Sequence, residues 1–169
     1  GWEGELIPVP HDVAKEVGQL REFVAESLKK KTQNELLHEL QGKYPVDENC
    51  AKAIISLVKN QVKHSIVPTD NRILIEDFEN LVVIHSCFGT NVNETLGRFL
   101  TALMTARIGS VAMRTDPYRI MIQFQQKNVE LLKDVLFNTN PAHFKSYLEM
   151  SLAKSELFGW KFVHVAKRF

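Results

Sequence analysis

The chain has 169 residues, 44% of them hydrophobic, and its 21 basic and 20 acidic side chains leave a formal charge of +1. That is enough apolar material for one sizeable core, since a domain of about 150 residues buries roughly 70% of its unfolded surface, and the charge balance excludes a uniformly basic nucleic-acid-binding surface, so any such contact must come from a local patch. No apolar run approaches the ~20 residues a membrane-spanning helix needs, the acidic opening lacks the pattern of a signal peptide, and Cys50 and Cys87, with no CxxC or Cys/His spacing, argue against zinc or a disulfide framework and for a reducing, cytoplasmic setting.

In chain order, Pro8 and Pro10 keep the first segment extended. It opens without Met, and Lys167-Arg168-Phe169 stops inside a helical pattern, so both ends read as cuts from a longer chain. A helix is predicted from His11 or Asp12 to Lys30, with Val13, Val17, Leu20, Val24 and Leu28 inward at spacings of three and four. A second helix covers Thr32 to Gly42, where Thr32 and Glu35 form a capping-box pattern. Pro45 ends it, and a third runs from Asp47 to about Lys63 on Ala51, Ile54, Ile55, Val58 and Val62. Residues 1–65 thus read as a helical cluster.

Residues 66–125 change period. Arg72 to Phe78 reads as a strand, Asp77 to Asn80 as a turn, and Leu81 to His85 as a short strand buried on both faces. An amphipathic helix follows from Val92 to Ile108, with Asn91 and Glu94 as its capping pair and Gly109 as its stop. Ser110–Arg114 and Arg119–Phe124 then flank Asp116-Pro117-Tyr118 as a second hairpin. Strand-strand-helix-strand-strand gives a small antiparallel sheet backed by a helix, hence an α+β fold. Residues 126–169 return to helix: Asn128–Phe137, a start at Asn140-Pro141, and a last stripe of Phe158, Phe162, Val165 and Phe169 that reads as core. The whole, 1–169, is expected to be a single domain.

For chemistry, the sequence holds no GxxxxGK[ST] phosphate loop, GxSxG elbow, HExxH pair or calcium loop. Ile75-Glu76-Asp77-Phe78 has the look of an acidic helicase box, but it falls on a hairpin with no phosphate loop to share magnesium. His85 and Cys87, two apart, suggest a base and a nucleophile but lack an activating third group; a hydrogen-bonded His and a buried structural Cys is the plainer reading. The turn Gly89-Thr90-Asn91 opens a helix whose free N–H groups suit an anion, or are capped by Asn91. Lys161, His164 and Arg168 line one face of the last helix with Lys167 alongside, Lys154 extending the stripe and Trp160 near it; cations beside aromatic rings suit a single strand, though a solvated helix face has the same pattern. Trp2, on the extended arm, is a further stacking candidate.

Taken together, Trp2-Glu3-Gly4-Glu5, Ile7-Pro8-Val9-Pro10, Val17-Gly18, Val67-Pro68-Thr69-Asp70-Asn71-Arg72 with Glu76, the stretch Val83 to Glu94 and the tail Phe158 to Phe169 resemble the DEAD/H-associated domain of Lhr-type (large helicase-related) superfamily 2 helicases. His85, Phe88 and Asn93 are its structural motif residues here. Thr90 departs from the basic residue common at that place, and Asp116-Pro117-Tyr118-Arg119 from an acidic-glycine turn. The resemblance implies a non-catalytic accessory domain without cofactors of its own, ATP and magnesium belonging to motor domains of the parent. It implies packing against those motor domains and a winged helix, and contact with single-stranded DNA or RNA. A protein-interaction module that never touches nucleic acid is the alternative.

Overall fold

The computed structural model describes residues 7–125, 128–153 and 156–168. Three helices come first: α1 (His11–Ser27), α2 (Gln33–Lys43) and α3 (Glu48–His64). Their boundaries follow from local chemistry. Thr32 caps α2 and closes the expected box with Glu35, whose carboxylate accepts from the Thr32 backbone N–H at 2.7 Å. Asp47 caps α3 by accepting from the Cys50 N–H at 2.7 Å, so two of the orphan donors at these helix starts are satisfied by side chains. The three helices bury one core, with Val24 from α1, Leu36 and Leu40 from α2 and Ile55 from α3 all sealed from solvent.

The inward face of α1 is turned from the one predicted. Val13 is exposed, while Ala14 and Gly18 are buried. The cause is close packing: a Cβ at Gly18 would fall inside the backbone N of Asp70, so α1 rests on the Thr69–Asp70 backbone through a residue with no side chain. Val62 of α3 is likewise exposed.

A four-stranded antiparallel sheet follows, in the order β1-β2-β4-β3, from β1 (Leu74–Phe78), β2 (Leu81–His85), β3 (Val111–Asp116) and β4 (Arg119–Phe124). Each hairpin turns on two residues; Glu79 in the first takes a left-handed φ of 48°. In register, Ile75 faces Ile84, Ile84 faces Ile120, and Val82 faces Ile122. These side chains form the second core with α4 (Thr90–Ile108), which packs on β3 and β4 and supplies Phe99, Leu100, Leu103 and Met104. The fold is α+β, as expected. β2 is fully buried on one face only: Val82 and Ile84 are sealed, while Leu81, Val83 and His85 are half-buried.

Helix α5 (Val129–Asn138) starts at Asn128, whose Oδ1 accepts from the Leu131 N–H, and closes this core with Leu132 and Val135. Asn140 caps a 3-10 turn, Pro141–His143, that leads into α6 (Phe144–Ala153). Phe144 and Tyr147 of α6 meet Phe99 of α4, with ring centroids 4.5 and 6.1 Å apart. The last helix, α7 (Glu156–Ala166), is carried by α6.

Candidate nucleic-acid interface

The motif residues scattered along the sequence converge on the seam between the two cores. Asn93, fully buried at the start of α4, accepts from the Ser86 hydroxyl at 2.8 Å and donates its amide to the carbonyls of Ser86 and Asp116 at 3.3 and 3.0 Å. One side chain thereby ties the end of β2, the start of α4 and the second hairpin. The Phe88 carbonyl accepts from the His11 ring at 3.0 Å, and their rings lie 6.3 Å apart. Arg21 of α1 donates to Cys87 Sγ at 3.5 Å and lies 5.1 Å from the centre of the Tyr118 ring.

At the Gly89-Thr90-Asn91 turn the structure corrects the expected cap. The N-cap is Gly89, at φ 85°, with no side-chain cap hydrogen bond; Glu94 pairs with Arg98 one turn on. The extended arm does the capping work instead. The Gly89 N–H donates to the Pro117 carbonyl, the Thr90 N–H to the Val9 carbonyl, each at 3.0 Å, and the Val9 N–H returns to Thr90 Oγ1 at 2.9 Å. A Cβ on Gly89 would lie 2.7 Å from the Val9 carbonyl oxygen, so the arm needs glycine there. Two N–H donors of the candidate anion turn are therefore committed to backbone carbonyls, while Asn91 is exposed.

His85 and Cys87 do not form a pair. The His85 ring bonds the Glu76 carboxylate at 2.7 Å, and this also accounts for Glu76 of the apparent acidic box. Cys87 is 1% exposed, and burial pushes its thiol up despite Arg21 alongside. A protonated buried thiol is a poor nucleophile.

Helix α7 carries the predicted stripe. At 3.6 residues per turn, Trp160, Lys161 and His164 share about one-third of its circumference, with Lys167 and Arg168 in line beyond its end. All five are exposed. The His164 Nδ1–H donates to the Trp160 carbonyl at 2.9 Å, and the two rings lie 4.0 Å apart between centroids. Among the described side chains no carboxylate lies within salt-bridge distance of Lys161, Lys167 or Arg168. Phe158, Phe162 and Val165, expected in the core, are 51%, 63% and 54% exposed. The pattern is amphipathic as read, but α7 packs mainly on α6, and these apolar side chains stay largely exposed. Trp2, Lys154 and Phe169 lie outside the described residues. Sequence reading missed Arg21 and Tyr118: an Arg within an amphipathic helix and a Tyr in a hairpin turn carry no signal until the two meet.

A model of the DEAD/H-associated family matches residues 67–169, more than half of the chain. The chain belongs to this family. Over 99% of its length this DEAD/H-associated domain is 27% identical to "ATP-dependent helicase Lhr-Core protein 2" of Thermococcus barophilus and 28% identical to "ATP-dependent helicase Lhr-Core" of Methanocaldococcus jannaschii. It spans only 20% and 19% of those relatives. Its fold matches part of the Mycobacterium smegmatis helicase Lhr, solved bound to single-stranded DNA and AMP-PNP, with a TM-score of 0.73 at 16% identity over 95% of this chain and 21% of that one. The relatives it resembles over its whole length are thus named as helicases of the Lhr type. Among the described residues no helix is long and apolar enough to cross a membrane.

Proposed function

We propose that this chain is a non-catalytic accessory domain of an Lhr-type ATP-dependent helicase, bracing the motor and guiding a single strand along α7. The observation that carries the reading is the exposed face of Trp160, Lys161, His164, Lys167 and Arg168, where among the described side chains no carboxylate lies within salt-bridge distance of the lysines or the arginine, beside a Trp160 ring that is 59% exposed. Such a face neutralises phosphates and stacks bases without sequence preference. The relatives' name, ATP-dependent helicase Lhr-Core, and the single-stranded DNA bound to the Mycobacterium smegmatis helicase support it. The open apolar side of α7, Phe158, Phe162 and Val165, supports docking on motor or winged-helix domains of the parent.

ATP and magnesium belong elsewhere in the parent on this reading. The one turn with the look of a phosphate cradle, Gly89-Thr90-Asn91, lacks the Lys such a loop uses, and two of its N–H groups already meet carbonyls. It does not fit a triphosphate.

The test is binding of single-stranded DNA and RNA across a salt series. We expect affinity to fall steeply with salt, because each neutralised phosphate releases counterions. In the Lys161→Glu/Arg168→Glu double variant we expect affinity to drop about tenfold or more and the salt slope to flatten by roughly two phosphates' worth. Weak, salt-independent binding that the double variant leaves alone supports a protein-docking module instead.

A further inference from the structure

Between α3 and the end of the sheet lies a cavity of about 470 Å³, walled by Arg21, Gln61, His64, Val67, Tyr118 and Arg119. Its size is that of small-ligand sites, and its lining is one-sided: arginine, histidine and amide side chains on an apolar floor, with no carboxylate among them. Two of the charged or titratable groups already have partners, Arg119 on Asp116 at 2.7 Å and His85 on Glu76. Arg21 differs. It is half-buried, its polar neighbour is the protonated Cys87 thiol, it leans on the Tyr118 ring, and among the described residues no carboxylate lies within salt-bridge distance. A partly desolvated cation with no carboxylate in direct contact is left with free donors, and a guanidinium offers five donors in a fork that fits phosphate; the Asp70 carboxylate lies near enough to act on the same Cys87 thiol but makes no salt bridge to Arg21.

We propose that this cavity binds one nucleotide unit, its phosphate on Arg21 and its sugar and base against the apolar wall of Leu57, Val67 and Pro68. The proposal deepens the strand-guiding reading and rests on it, adding a second contact point formed by the seam rather than by α7. A phosphate ligand explains why the cavity has donors and an apolar wall together; an acidic peptide would leave the wall unused.

The experiment titrates the whole chain with uridine 5′-monophosphate, inorganic phosphate, a short single-stranded oligonucleotide and an acidic peptide. Two variants are compared: Arg21→Gln, and Leu57→Glu, which places a carboxylate at the cavity rim on a residue 63% exposed and so outside the core. The expected result is that the monophosphate or the oligonucleotide binds more tightly than inorganic phosphate, and that each variant weakens that binding about tenfold or more. Response of the monophosphate identifies a free nucleotide as a ligand, response of the oligonucleotide alone a strand. Leu57→Glu with unchanged affinities for both overturns the cavity site, as does Arg21-dependent binding of the acidic peptide alone. The strand-guiding reading is then judged separately, by the Lys161/Arg168 double variant.

Discussion

Asn93 shows how much a single side chain holds together here. Its amide satisfies two backbone carbonyls and a hydroxyl, all in a fully buried position. Truncation leaves those groups without partners, and each buried unsatisfied group costs about 1–3 kcal/mol. We therefore expect Asn93→Ala to lower unfolding stability by roughly 2–4 kcal/mol in urea titration; a loss within measurement error would mean that water replaces the amide freely. The sequence singled out Asn93, His85 and Phe88 as motif residues but assigned the helix cap to Asn91. Cap preferences are local statistics, and they cannot see Val9 arriving from the far end of the chain to bond Thr90. Cysteine chemistry separates the two thiols at the same scale. Cys50 is exposed, whereas Cys87 is sealed with its thiol held protonated by burial. Alkylation of the native protein should label Cys50 quickly and Cys87 only after denaturation, and comparable native rates at both would contradict the packed seam.

At the scale of elements, ends were more legible than faces. The capping box at Thr32 and Glu35, the stop at Gly109 and the start at Asn140 all stand where the residues indicated, because caps satisfy orphan N–H and carbonyl groups within a few residues of sequence. Faces depend on what arrives from elsewhere. α1 turns so that Gly18, not Val13, meets the Asp70 backbone, and α7 keeps Phe162 and Val165 more than half exposed. A periodic pattern reports that a helix is amphipathic, not what lies against it. The α2 box yields a prediction with a sign. The Thr32 backbone N–H and hydroxyl hold the Glu35 carboxyl below its ordinary range, so its folded pKa lies under its unfolded one. The stabilisation is then fully present above the usual carboxylate pKa and disappears as pH falls through the lowered folded value. Thr32→Ala should destabilise the protein measurably at pH 7 and somewhat less well below pH 4, because the hydroxyl's bond to the Glu35 carboxylate weakens on protonation while the bond it accepts from the Glu35 N–H does not. A penalty that is the same at both pH values would assign the effect to the Thr32 hydroxyl cap alone.

The molecule as a whole is two cores joined by a narrow seam. One is built from α1–α3, the other from the sheet with α4 and α5, and among the described residues none belongs to both. What joins them is the set of motif stretches: Gly18 on Thr69–Asp70, Gly89 under Val9–His11, Arg21 on Cys87 and Tyr118, and His11 on Phe88. Their wide separation in sequence hid this from sequence reading, which recognised the stretches without placing them in one location. The seam also walls the cavity, so its integrity controls both stability and the proposed nucleotide site. Gly18→Val tests the arrangement. Its side chain cannot fit against the Asp70 backbone, so α1 must lift from the seam while Val24 and the rest of the helical core remain packed. Hydrogen exchange should then show faster exchange in the first half of α1 and around Ser86–Asn93, with β4 and the centre of α4 still protected, since Ile120, Ile122, Leu100 and Met104 make no contact with the substituted site. Equal loss of protection throughout α4 and β4 would instead show that the two cores unfold as one cooperative unit, and that the seam is part of a continuous core rather than a joint between two.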